Sequence, residues 1–247
     1  EIRIVTIAAG IYLVEDHGLI LVAKGLECKE LPRPGDPIMQ IDLFDTVFNE
    51  IMSSSTYGEF KERLQVYNCR RCTLCYGRSN IVIDRGNPRS SIMIISERPG
   101  DNEDRVGKPF VGRAGELLDK MLTAIDLDTE KDVLITNVVR CKPEVDRSPI
   151  REEVDACFPF MQKQIELMNP RVILLLGAVA VKWVDTERSD IKMEDEAGRF
   201  YTLARFPGIQ FMVMFNPAFL LRDPRKKVVT WEHLKTLRGY LRQEGLA

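Results

Sequence analysis

Six cysteines, Cys28, Cys69, Cys72, Cys75, Cys141 and Cys157, are the side chains with the most definite chemistry in this sequence. In an intracellular chain such a set points to metal binding or redox activity rather than to a disulfide framework. Cys69 and Cys72, with two residues between them, form a chelating pair on one turn. Cys141 and Cys157 flank the start of a predicted helix, so a loop and the first helical turns bring their sulfurs together. Cys75 extends the first pair to C-x2-C-x2-C and competes as a fifth thiol. The spacing lacks the compact double knuckle of zinc ribbons, and on spacing alone a structural zinc ion and unliganded thiols both stay open.

The second chemical stretch is Ser91–Leu118, SIMIISERPGDNEDRVGKPFVGRAGELL. Ile92, Met93, Ile94 and Ile95 have the β-branched, unbroken apolar character of a buried parallel strand, and Pro99-Gly100 stops it. A polar loop and a helix start follow. Crevices at such strand ends are where α/β proteins bind ligands, and the loop's glycines permit close packing against a ligand or neighbouring backbone.

The remaining elements must present these two stretches. Apolar runs in residues 1–27 predict a small β-hairpin or meander, with His17 a solvated turn residue. LPRPGDP at 31–37 predicts a linker and a boundary near residue 40. Helical stripes are predicted over 42–52, 57–67 (Phe60, Leu64, Val66), 113–125, 149–167 and 228–243. Strands are predicted over 133–139, 172–176 and 211–215, a short helix carrying Trp183 after Gly177, and a hairpin over 185–209. This alternation predicts an α/β fold, a three-layer α/β/α sandwich with a mostly parallel central sheet plus a small N-terminal β element. The expected domains are 1–40, a β-hairpin extension with its linker, and 41–247.

Composition sets the limits. At 247 residues and 45% hydrophobic content the chain can bury a full core. A net charge of -2 excludes a polycation, so any nucleic-acid contact must come from local basic clusters. No apolar run is long enough to span a membrane and the start lacks the order of a secretory signal, so a cytoplasmic protein is expected. Because the chain starts at Glu1 rather than Met, it is expected to be a trimmed form or a piece of a longer polypeptide.

CRRCTLC at 69–75, the loop PGDNEDRVGKPFVGRAGELL, ITNVVRCKP, Cys157 and NPAFLLRDP occur in an order that resembles the family 4 uracil-DNA glycosylases. The likeness spans about residues 65 to 244. It implies removal of uracil from single- or double-stranded DNA by base flipping, and a 4Fe-4S cluster in a structural role on Cys69, Cys72, Cys141 and Cys157, with Cys75 a spare buried thiol. It further implies that Phe110 stacks on the uracil ring and that Asn137 reads its edge. Glu97 and Glu103 are the implied acidic groups that shape and polarise the water site. Asn216 is the group expected to support the departing base, Phe219, Leu220 and Leu221 a wedge, and Arg222, Arg225, Lys226 and Lys227 the phosphate contacts.

Two departures from the family pattern matter. Arg98 replaces a small side chain at the pocket wall, where it assists substrate or obstructs it, and Ser96 also differs. Asn216 stands where the family generally has histidine. These departures keep a second reading in play, a noncatalytic glycosylase-like DNA-binding or replication module.

Overall fold

Short, mostly apolar segments form the central strands, because hydrogen-bonded neighbours on both sides and helices on both faces favour apolar side chains there. The structure is a computed structural model that describes residues 3–7, 10–15, 18–24, 43–186 and 191–246. His17, Cys28 and the 31–37 segment lie outside the described residues. The chain divides into compact units Glu1–Ile51 and Met52–Ala247. The first holds strands β1 (Arg3–Ile7), β2 (Gly10–Glu15) and β3 (Gly18–Lys24), an antiparallel meander, and most of helix α1 (Leu43–Met52).

The second unit begins with α2 (Tyr57–Tyr67). Thr56 caps it by accepting from the Glu59 amide at 3.2 Å, and Asn68, in the left-handed region at φ 48°, ends it. Then follow β4 (Arg85–Gly86), β5 (Ile92–Ser96), α3 (Asp101–Val106), α4 (Arg113–Thr123), β6 (Leu134–Asn137), α5 (Arg151–Met168) and β7 (Val172–Leu176). The chain closes with α6 (Ala178–Val184), α7 (Met193–Glu196), β8 (Phe200–Tyr201), β9 (Gln210–Met214), α8 (Pro217–Arg222) and α9 (Lys227–Gln243).

The six strands order as β4-β6-β5-β7-β9-β8, with the four central ones parallel and the two short edge strands antiparallel. From β5 the chain crosses to β6 on one side, then passes back over β5 to β7 on the other. Right-handed crossovers in opposite directions place their helices on opposite faces, giving three layers. Ile92, Ile94, Ile135, Val172, Leu174, Met212 and Met214 pack with Leu118 and Leu122 of α4 and Leu234, Leu237 and Leu241 of α9. Alternate residues of the same strands face the other layer.

Direction reverses at β5, between β6 and β7, which is the switch point where such sheets open a crevice. No helix among the described residues is long and apolar enough to cross a membrane.

Candidate active site

A cavity of about 1080 Å³ opens at the carboxyl ends of the four parallel strands. Ser96 and Glu97 at the end of β5, Asn137 at the end of β6, Leu176 and Gly177 at the end of β7, and Phe215 and Asn216 just after β9 all line it. The sheet thus brings together Glu97, Arg98, Glu103, Phe110, Asn137 and Asn216, which are scattered over 120 positions of sequence.

Asn137 is 1% exposed, paired in register with Ser96, and its Oδ1 has no hydrogen-bond donor. A buried amide oxygen without a partner costs free energy unless a ligand supplies the missing proton. Phe110 is buried in the cavity wall at φ +55°, a conformation uncommon for a side chain of its size. Arg85 holds it there, donating to the Phe110 carbonyl at 2.8 Å while pairing with Asp119 at 3.0 Å and Glu130 at 2.6 Å.

The two glutamates differ. Glu103 spends both oxygens on the loop, accepting from the amides of Val111 at 2.9 Å, Gly112 at 3.0 Å and Gly100 at 3.2 Å. Its position explains how the polar loop keeps its shape. Among the described residues the Glu97 carboxylate makes no such backbone bonds, and Arg98 Nε lies 3.9 Å from its Oε1. Arg98 itself is drawn sideways, donating to Asp146 and, at 3.1 Å, to the Pro99 carbonyl. Its guanidinium therefore ties the end of β5 to the 141–150 loop.

Asn216 caps α8. Its Oδ1 accepts from the Ala218 amide at 2.9 Å, and its Nδ2 donates to Ser96 Oγ at 3.1 Å and to the Leu176 carbonyl at 3.3 Å. Both of its N–H donors are engaged inside the protein, which is not the arrangement expected of a donor to a leaving base.

The expected DNA rim needs correction. Leu220 is 1% exposed and packs in the core beneath α8, so it does not belong to a wedge. The i, i+3 periodicity of a short amphipathic helix turns it inward. Phe219 and Leu221 are half-buried, with Phe219 lining the cavity and stacked 5.7 Å from Phe215. Arg222 and Lys227 are exposed. Arg225 is paired with Asp223 at 2.8 Å while its side chain stays 89% exposed, and Lys226 is paired with Glu194 at 2.8 Å.

Cys69, Cys72, Cys141 and Cys157 line one small cavity together with Arg71, Arg78 and Arg140. Cys75 does not line it and is half-buried rather than buried. Burial pushes the Cys72 thiol up to about 11 and the Cys141 thiol up to about 12, with neighbouring thiols adding to both shifts. A metal centre here must displace those protons. Arg78 donates to Cys141 Sγ at 3.0 Å and Arg140 to Cys157 Sγ at 3.6 Å, while Arg140 Nε is buried without an acceptor. Four soft donors ringed by guanidinium N–H groups suit an anionic thiolate-bound cluster. The fit rests on this donor set, since the void itself is closed down to about 20 Å³. Among the described residues no three His, Cys, Asp or Glu side chains converge as ligands of a single metal ion.

Sequence reasoning missed three participants. Arg78 and Arg140 touch the cysteine sulfurs, and the only signal was the Arg140-Cys141 dipeptide. Arg85 supports Phe110 from 25 residues away and carried no motif. Ser96 stood out only as a departure, with nothing to show that it meets the other departure, Asn216.

A family model described as the uracil DNA glycosylase superfamily matches residues 83–235. The type-4 uracil-DNA glycosylase of Sulfurisphaera tokodaii is 34% identical over 183 residues, covering 72% of this chain and 82% of the relative. That of Pyrobaculum aerophilum is 39% identical over 163 residues, covering 64% and 82%. That of Thermotoga maritima is 36% identical over 184 residues, covering 73% and 93%. With the match centred on the strands that build the cavity, the chain belongs to the uracil-DNA glycosylase superfamily and, within it, to the type-4 uracil-DNA glycosylases.

Proposed function

We propose that this chain excises uracil from DNA by hydrolysing the bond between the base and deoxyribose C1′. The observation that carries the reading is the buried, unpartnered Oδ1 of Asn137 in a cavity walled by Phe110. Uracil presents a proton on N3 and an acceptor at O4, which an asparagine amide meets with its oxygen and nitrogen respectively. Cytosine has no proton on N3, so the same amide orientation leaves Oδ1 unpaired and rejects it. Reaching this cavity requires a nucleotide that is single-stranded or rotated out of the duplex. Phe110 then supplies the stacking wall that the base loses from its neighbours.

Glu97 is the carboxylate free to act on water. As the C1′–N1 bond breaks, its electron pair leaves with the base. Water oxygen bonds to C1′ while Glu97 takes the water proton, and the departed uracil anion is later protonated from solvent. Glu103 serves by holding the loop through three amides. Arg98, held by Asp146, lines the cavity, and the exposed Arg222 and Lys227 supply charge for the DNA backbone. Residues 41–247 form the glycosylase domain in this reading, with 1–40 an appended β element. Incubation with uracil-containing single- and double-stranded oligonucleotides should yield abasic sites. Intact oligonucleotide at high enzyme concentration, with DNA still bound, would instead support a noncatalytic module.

The same proposal places a 4Fe-4S cluster on Cys69, Cys72, Cys141 and Cys157, where it would cross-link the segment after α2 to the loop before α5 and to α5 itself. Such a cluster contributes structure and no redox step. Anaerobic protein is expected to be brown, with four irons per chain, and Cys141→Ser to lose both colour and iron. A colourless protein holding one zinc overturns the assignment.

A further inference from the structure

Loss of uracil leaves negative charge on the base, and this cavity must meet that charge with a hydrogen-bond donor. Asn216 is not free to do so. Both protons of its Nδ2 are committed, to Ser96 Oγ at 3.1 Å and the Leu176 carbonyl at 3.3 Å, and its Oδ1 is held by the Ala218 amide at 2.9 Å. The next residue, Pro217, has no N–H to offer.

Ser96 is placed differently. It is 3% exposed, ends β5, and lines the cavity next to Glu97 and in register with Asn137. Its backbone is fixed as well, the carbonyl accepting from the Val138 amide at 2.8 Å. Because Ser96 Oγ accepts the Asn216 proton, its lone pair on that side is used and its own O–H must point elsewhere. Among the described residues Ser96 Oγ accepts this bond and donates none. A buried hydroxyl proton with nothing to bond is an uncompensated donor, and an anionic oxygen arriving in the cavity is its natural complement.

We propose that the Ser96 hydroxyl is the donor that stabilises the departing pyrimidine anion, through the carbonyl oxygen next to the breaking bond, and that Asn216 is the positioning residue that aims it. This rests on the uracil-excision reading and deepens it. No proton is transferred by Ser96: the electron pair of the C1′–N1 bond delocalises onto the base oxygen, and the serine proton remains on Oγ while hydrogen-bonded to it.

The test compares uracil with 5-fluorouracil in the same single-stranded oligonucleotide, the second being the better leaving group because its anion is less basic. Ser96→Ala is expected to lower kcat on uracil about a hundredfold with KM little changed, and to cost clearly less on 5-fluorouracil. Ser96→Thr, which keeps the hydroxyl, is expected to recover much of the loss. Asn216→Ala alone is expected to cost about tenfold but to add little in the Ser96→Ala background, since it works through the serine. Equal penalties on both bases, or additive losses in the double variant, would overturn the inference even where excision itself is intact. An unaltered protein that releases no uracil overturns the excision reading and this one together. Unaltered melting of the Ser96 variants checks that the kinetic losses are not losses of fold.

Discussion

Glu97→Gln should lower single-turnover uracil excision by roughly a thousandfold while leaving oligonucleotide binding nearly unchanged. The substitution keeps the shape and one oxygen of the side chain and removes the basicity. It strikes at Glu97 because that carboxylate lines the cavity without serving the backbone, whereas Glu103 is occupied by three amides. The same change at Glu103 is therefore a useful contrast. There the damage should appear first as a lower melting temperature, because an amide nitrogen replaces an acceptor in a site built of donors. If Glu97→Gln retains near-normal excision, the water does not depend on this residue and the assignment of the two glutamates is wrong.

Gly115→Ala should be the most damaging single methyl in the second unit. A Cβ at this position would lie 1.8 Å from the Phe110 carbonyl oxygen and 2.2 Å from its carbon. Both are backbone atoms, so no side chain can swing away to make room. Phe110 has no slack either, being held at φ +55° with its carbonyl bonded to Arg85. The start of α4 and the stacking wall must separate. A destabilisation of about 3 kcal/mol or more is expected, which for a protein of this size lowers the melting temperature by about 6–12 °C. The protein that remains folded should bind uracil DNA poorly because Phe110 is displaced. Calorimetry together with a binding titration checks both parts, and a variant that melts and binds like the parent would show that this contact relaxes at little cost.

Much of the frame was legible because burial writes itself into sequence. Ile92–Ser96 and Val172–Leu176 are buried at every position, and Ile92 to Ile95 and Val172–Leu176 read as continuous apolar runs. Helix α4 announced itself by spacing. Helix α3 did not, since its six residues DNEDRV bury only Asp104, which anchors the helix by accepting from the Ser79 amide at 2.9 Å. A helix held by a buried carboxylate has no apolar stripe to detect. The predicted strand at 133–139 is shorter in the ladder, Leu134–Asn137, because Val138 and Val139 bond past the end of β5 to Ser96 and Glu97 carbonyls.

Val66, placed on the inward stripe of α2, is 80% exposed, since Phe60 and Leu64 already fill the buried face. The predicted 185–209 hairpin contains α7 and then β8, which pairs antiparallel with β9 rather than with a strand inside that segment. At the site, the residues that project into the cavity were marked by family pattern. The Ser96 and Leu176 partners of Asn216 were not, because hydrogen bonds between residues 120 and 40 positions apart leave no local trace.

The strand order also governs what the chain is while it is still being made. β7 is complete at Leu176, but its partner β9 arrives only at Gln210–Met214. Until then the sequence VILLL is an uncovered edge, apolar on both faces and with free backbone groups, which is a template for pairing with another chain. The nascent protein thus carries this aggregation hazard after most of the pocket wall has been synthesised and before Asn216 emerges to close it.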